Sequence, residues 1–135
     1  YNMYNRWIED GLQDVLTANK LGTIAFSPLA QGMLTDRYLH GIPEDSRAGR
    51  SSSPFLNAER VQETIEKSRA LNEIAQRRGQ TLAEMAVAWI LRDGKVTSVL
   101  IGASRVSQID DNVKALENLA FSNEELDEIE AVLAK

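Results

Sequence analysis

Two short apolar runs, Thr23-Ile24-Ala25-Phe26 and Val96-Thr97-Ser98-Val99-Leu100-Ile101, lie about seventy residues apart with helical sequence between them. They constrain the fold more than any other feature. Both are rich in β-branched or aromatic residues, and the second has no polar face in its latter half. Apolar runs of this kind, joined by helical crossovers rather than tight hairpins, belong to a parallel sheet covered by helices. Two strands cannot build such a sheet alone. The sequence therefore predicts an α/β fold whose other strands lie outside this chain, and both edges of the pair should be unpaired, a liability for aggregation or swapped association.

Around these runs the spacing of apolar residues predicts helices. Residues 7–19 set Ile8, Leu12, Val15 and Leu16 on one face, and Gly22 ends that pattern. Strand 22–26 stops at Ser27-Pro28, because proline cannot continue a ladder. Residues 27–57 form a long irregular segment holding Gly32, Gly41, Pro43, Gly49, Ser51, Ser52, Ser53 and Pro54; loops of this length are often functional. Helical spacing resumes over about 58–78 (Val61, Ile65, Leu71, Ile74) and stops at Gly79. Thr81 and Glu84 then stand as a capping box opening a helix to about Arg92. That helix is apolar almost all round, which demands burial. After the strand at 96–101 come a helix over about 106–116 and a last amphipathic one capped by Ser122-Asn123-Glu124-Glu125.

With 43% hydrophobic residues the 135-residue chain can bury a core as part of one domain. No run of about 18 apolar residues exists, so no membrane insertion is expected. The first residues have no signal-peptide character, and the absence of Met at position 1 suggests a chain cut from something longer. There is no cysteine, which excludes disulfides and thiolate metal sites and fits a cytoplasmic protein. A net charge of -5 disfavours nucleic-acid binding, which needs many Lys/Arg contacts. The single His40 cannot anchor a metal site, so no metal is expected.

Ligands of parallel α/β folds collect at the carboxyl ends of strands. The first run leads into Ser27-Pro28-Leu29-Ala30-Gln31-Gly32, the second into Gly102-Ala103-Ser104-Arg105 and straight into a helix. Glycine permits close backbone approach, Ser104 offers a hydroxyl, Arg105 a cation, and the helix start adds free N–H groups. Together they suit a phosphate. Each is also ordinary turn or cap sequence, and it is their recurrence at equivalent ends of two strands that raises the functional reading.

FSPLAQGMLTDRY, GIPEDSRAGR, TLAEMAVAWILRD and SVLIGASRVSQIDDN, in this order, resemble the last third of an aldo-keto reductase, from Tyr1 to about Leu133. The resemblance is strongest to the bacterial L-glyceraldehyde-3-phosphate reductases and the β-subunits of voltage-gated potassium channels. It implies the C-terminal segment of a (β/α)8 TIM barrel, mostly helical by residue count, supplying its last two strands as part of one barrel domain. NADP(H) would lie across their carboxyl ends. By position, Phe26 matches the aromatic ring that stacks on the nicotinamide. Ser27, Leu29, Ala30 and Gln31 match the turn around ribose and pyrophosphate, Arg37 a basic residue near the phosphates, and Arg47 a loop arginine reaching the adenosine end. Gly102, Ser104, Gln108, Asp111 and Asn112 match the adenosine pocket, with Ser104, helped by Arg105, at the 2′-phosphate.

The family's catalytic Asp, Tyr, Lys and His all belong to earlier strands, so no residue here is expected to be catalytic. By resemblance Tyr1 ends the sixth strand beside the nicotinamide and is not the proton donor; Tyr4 and Tyr38 have no catalytic counterpart. Two functions follow. In the first, a complete barrel reduces small aldehydes or ketones, L-glyceraldehyde 3-phosphate and methylglyoxal being candidate substrates. In the second, a non-catalytic NADP-binding barrel regulates a partner, as channel β-subunits do. Alone, the chain is expected to be inactive. The expected partners are a carbonyl substrate, the remaining barrel strands or another chain, and a further copy in a homo-oligomer.

Overall fold

The computed structural model describes residues 1–46, 48–49 and 56–135. Its sheet has two parallel strands, β1 (Ile24–Phe26) and β2 (Ser98–Leu100), with Ile24 opposite Ser98, Ala25 opposite Val99 and Phe26 opposite Leu100. Both strands are shorter than the apolar runs that encode them. Thr23 and Thr97 extend the pairing irregularly: the Thr97 N–H donates to the Thr23 carbonyl, and the Thr23 N–H donates to Thr97 Oγ1.

One face of β1 is packed and the other open. Ala25 is buried at 4% exposure, whereas Ile24 and Phe26 are 68% and 69% exposed. Leu100 on β2 is exposed beside Phe26. The expected cover by helices is thus present on one side of the sheet, and the alternation gives the reason. Successive side chains point to opposite sides, and helices of this chain cover one side only.

That cover is chiefly α3 (Leu82–Leu91), against which α2 (Ala58–Arg77) packs in turn. Val61, Ile65, Leu71 and Ile74 of α2 are buried, and α3 is buried from Leu82 to Ile90 apart from half-buried Ala83. A fully buried Leu, Ile or Met side chain stabilises by about 1.5–3 kcal/mol, so α3 is the centre of the core. Both ends of these helices behave as their sequence requires. Gly79, at φ 69, takes the left-handed position that closes α2, with the Gln80 N–H donating to the Ala75 carbonyl. Thr81 and Glu84 form the capping box in both directions. Ser122 and Glu125 do the same for α5 (Asn123–Leu133), which packs on α2 through Ile129 and Val132.

The expected helix over 7–19 is two pieces, a 3-10 turn at Trp7–Glu9 and α1 (Leu12–Ala18). Gly11 separates them at φ 88, a left-handed conformation that no α-helix continues. Ile8 is buried, but Leu12 and Val15 lie on the exposed surface. Likewise α4 (Val106–Lys114) ends earlier than its sequence suggests and tightens into a 3-10 turn at Ala115–Glu117. The segment 27–57 contains short 3-10 turns at Ala30–Gly32 and Asp36–Tyr38.

Arg78 binds the end of α2 to the α4–α5 connection. Its side chain, 3% exposed, donates to Glu125 at 2.6 Å, to Gln80 at 2.9 Å and to the Ala120 carbonyl at 2.9 Å, and its guanidinium lies 3.6 Å from the Phe121 ring centre. Among the described residues no helix is long and apolar enough to cross a membrane.

Candidate functional site

The parallel register decides where the two strand-end turns go. With Phe26 beside Leu100, both strands run the same way and end together, so Ser27–Gly32 and Gly102–Arg105 leave the same edge of the sheet side by side. Phe26 and Leu100 lie on its open face.

The first turn carries a feature invisible in its residue types. Ser27, Ala30 and Gln31 have φ of 54°, 48° and 61°, and Gly32 follows at 96°. Three non-glycine residues in left-handed geometry within five positions is a concentration of strain. Such residues cost about 1–3 kcal/mol each and cluster at ligand clamps. Backbone of this kind also turns successive N–H groups toward one side, a recurring anion-binding arrangement. Packing holds the turn from beneath: Pro28 and Ala30 are buried, and Leu29 packs on the core. Leu29 and Ala30 thus offer a ligand main chain rather than side chains.

The second turn is built around Gln108. Its Oε1 accepts from the Ser104 N–H at 2.8 Å, the Arg105 N–H at 3.2 Å and the Ser104 hydroxyl at 3.2 Å. The glutamine therefore reaches back from the first turn of α4 and satisfies the N–H of the cap residue Arg105 and that of Ser104 before it. Asn112, one turn further on, donates through Nδ2 to the Gln108 carbonyl at 2.5 Å. Ser104, Gln108 and Asn112 thus share a face, as their spacing of four predicts. Asn112 Oδ1 is buried without a hydrogen-bond partner among the described residues, one of two such atoms; the other is Trp89 Nε1. Buried acceptors are normally paired, so Oδ1 calls for a donor that the described residues do not supply. At Gly102 an added Cβ would meet nothing within 4 Å. The fold itself does not require glycine there, which leaves room for something else to approach the backbone.

The remaining site residues are more dispersed. Arg37 faces Asp45 at 3.8 Å, an exposed pair worth about 0–1 kcal/mol and easily exchanged for another anion. Asp111 pairs loosely with Lys114 at 3.5 Å. Arg47 and Arg50 lie outside the described residues, as does Ser51–Ser53. Of the described residues nearby, buried Ser46 donates to the Pro43 carbonyl at 2.6 Å and accepts from the Gly49 N–H at 3.1 Å.

Sequence reasoning missed Asn2. It is buried and donates through Nδ2 to the Ser27 carbonyl at 2.9 Å. No periodicity marks it. Beside it, Tyr1 stacks at 5.5 Å on Trp89, itself flanked by the Arg6 and Arg92 guanidiniums, and donates to Glu9 at 2.5 Å. Burial raises the Tyr1 phenol above its ordinary value, and it pushes Tyr4, bonded to Ser68 Oγ at 2.8 Å, up to about 12. Burial would also raise Glu9, but hydrogen bonds from Arg6 and Tyr1 and the nearby charges of Arg6 and Arg92 more than offset it and hold the carboxyl low. No group of three or more His, Cys, Asp or Glu among the described residues could hold a metal.

Two parallel strands with helices on one side and two adjoining turns at their carboxyl ends define the C-terminal segment of a (β/α)8 barrel. The chain belongs to the aldo/keto reductase family, whose model matches residues 1–134. It is 51% identical over 138 residues to an L-glyceraldehyde 3-phosphate reductase of Escherichia coli K12, covering 99% of this chain and 40% of that protein. It is 38% identical over 137 residues to a probable voltage-gated potassium channel subunit beta of Arabidopsis thaliana, covering 98% and 42%. Among solved structures it resembles the glycerol dehydrogenase of Gluconobacter oxydans with a TM-score of 0.80 at 24% identity, over 99% of this chain and 40% of that one. A thermostable aldo-keto reductase matches with a TM-score of 0.63 at 25% identity, over 99% and 37%. The chain therefore spans about two fifths of the length of these relatives.

Proposed function

We propose that residues 1–135 form the NADP(H)-binding end of one aldo-keto reductase barrel which, when complete, reduces small aldehydes or ketones. The observation that supports this reading is the register of β1 on β2: Phe26 pairs with Leu100, so the Ser27 and Ser104 turns follow neighbouring strand ends, as one dinucleotide spanning both would need. Asn112 Oδ1, without a hydrogen-bond partner among the described residues, suits the adenine amino group once its side chain turns outward, and the open space at Gly102 suits close passage of the adenosine.

In this arrangement the exposed Phe26 ring stacks on the nicotinamide and fixes which face is presented. The main chain of Ser27, Leu29, Ala30 and Gln31, left-handed at all but Leu29, wraps ribose and pyrophosphate. Arg37 leaves Asp45 for the phosphates, and Arg47 reaches the adenosine end. Ser104, with Arg105, takes the 2′-phosphate at the start of α4, where the helix dipole favours negative charge. Gln108 holds that turn in shape, and Asp111 and Asn112 receive the adenine. Bound NADPH supplies the hydride. The proton comes from groups outside these residues, since the family's Tyr and Lys have no counterpart here. L-Glyceraldehyde 3-phosphate is the first substrate to try, because 51% identity to a reductase of that name exceeds the 38% to a channel subunit and favours the enzyme over a regulatory barrel.

The test is NADPH titration by fluorescence in the full-length protein carrying Ser104→Ala or Arg47→Ala. Hydrogen bonds to charged groups contribute about 1.5–3 kcal/mol, so affinity should fall by roughly ten- to a hundredfold. Unchanged affinity in both variants refutes the assignment.

A further inference from the structure

Asn2 is engaged at every polar atom of its side chain. Its backbone exchanges hydrogen bonds with Asn5 at 3.1 and 3.0 Å, and its Oδ1 accepts from the N–H groups of Tyr4 at 2.9 Å and Asn5 at 3.0 Å. This small turn, Asn2–Asn5, is closed on itself, and with Oδ1 fixed the amide plane is fixed too. Nδ2 is left aimed at a single acceptor, the Ser27 carbonyl at 2.9 Å. Next to it, the amino nitrogen of Tyr1 donates to the Phe26 carbonyl at 3.2 Å. The segment thus holds the last carbonyl of β1 and the first carbonyl beyond it.

The Ser27 carbonyl is the junction of the strained turn. It belongs to a residue at φ 54, and it also accepts at 3.2 Å from the N–H of Ala30, itself at φ 48. Left-handed geometry at a residue with a Cβ persists only where its surroundings over-determine it. Of the two donors on this carbonyl, the Ala30 N–H lies inside the turn and would move with it. Asn2 lies outside the turn, is buried at 5% exposure, and is immobilised by its own bonds. It is therefore the external polar constraint on this carbonyl, beside the packing beneath the turn.

We propose that Asn2 is a positioning residue: by holding the Ser27 carbonyl it keeps the 27–31 turn in its left-handed form, and dinucleotide affinity depends on it without contact. The proposal rests on the cofactor reading above. Asn2→Asp in the full-length protein keeps an acceptor for Tyr4 and Asn5 and replaces the donor to Ser27 with an oxygen. NADPH affinity should fall by about three- to tenfold, the range of one lost hydrogen bond. Ser27→Gly, which adopts positive φ without strain, removes the need for the constraint. In that background the same Asn2→Asp change should cost less than about twofold.

A general loss of stability would instead lower affinity by equal factors in both backgrounds, and equal factors, or no loss in the parent background, overturn the proposal. If Asn2→Asp does not fold, Asn2→Ala carries the same comparison. A parent protein that binds no NADPH refutes the cofactor reading and this inference with it; a parent that binds, with Asn2→Asp indifferent, refutes the positioning role alone.

Discussion

Replacing Gln108 with Glu separates the shape of the second turn from its charge. Glutamate keeps an oxygen where Gln108 Oε1 accepts from the Ser104 and Arg105 N–H groups at 2.8 and 3.2 Å, and a carboxylate beside a helix start is favoured by the dipole. The turn should survive. The new charge, however, stands 3.2 Å from the Ser104 hydroxyl that is assigned to the 2′-phosphate. A phosphate oxygen accepting from that hydroxyl would sit about 3 Å beyond it, so roughly 5–6 Å would separate the carboxylate from the phosphate. For one charge against nearly two at this separation, at a dielectric between that of the surface and of water, repulsion comes to about 1–3 kcal/mol. That is roughly five- to 150-fold in affinity. NADH lacks the phosphate and should be nearly indifferent. Parallel titrations of NADPH and NADH into Gln108→Glu and its parent, at low and at raised salt, read the difference directly. Equal changes for both cofactors would show that Ser104 does not receive the 2′-phosphate.

Two further outcomes follow from particular contacts. At Gly49 an added Cβ would come within 2.4 Å of the Pro43 carbonyl oxygen and 2.8 Å of that of Glu44, both rigid backbone atoms. Gly49→Ala should therefore open the loop that carries Arg47 and weaken NADPH binding by about tenfold or more, the loss expected for one hydrogen bond to a charged group; affinity equal to the parent would separate the loop from the site. Tyr4 ionises near 12 in the folded chain against an ordinary 10.0. Its folded value is raised, so its contribution is complete below pH 10 and is lost as pH climbs toward 12. Thermal midpoints should fall across that window, less steeply in Tyr4→Phe, and identical slopes would count against the burial of this phenol.

Those elements whose signals are local were legible in the sequence. The capping boxes at Thr81 and Ser122, the stop at Gly79 and the all-round apolar character of α3 each follow from a few neighbouring residues, and each is present. The helix over 7–19 misleads because Ile8, Leu12, Val15 and Leu16 keep helical spacing straight through Gly11, and only the backbone angle at that glycine breaks it. The exposure of the strands has a different reason: apolar residues at Ile24, Phe26 and Leu100 record a surface that the described residues do not cover. At the site, the family resemblance singled out Ser104, Gln108 and Asn112, and their spacing of four accounts for the face they share. The strain at Ser27, Ala30 and Gln31 was not legible, because none is a glycine and left-handed geometry imposed by packing leaves no mark on residue type. Asn2 escaped because its partner is 25 positions away and its own neighbourhood reads as an ordinary turn.

The alternation at Ala25 and Phe26 also acts as a gauge. A shift of β1 by one residue against β2 would push the phenyl ring into the space beneath the helices, where a single methyl group now fits, and would hand that methyl to the open side. No closely packed interior absorbs such a change in bulk. The intolerance of the covered side to anything larger than alanine is thus what delivers an aromatic ring, correctly facing, to the opposite side.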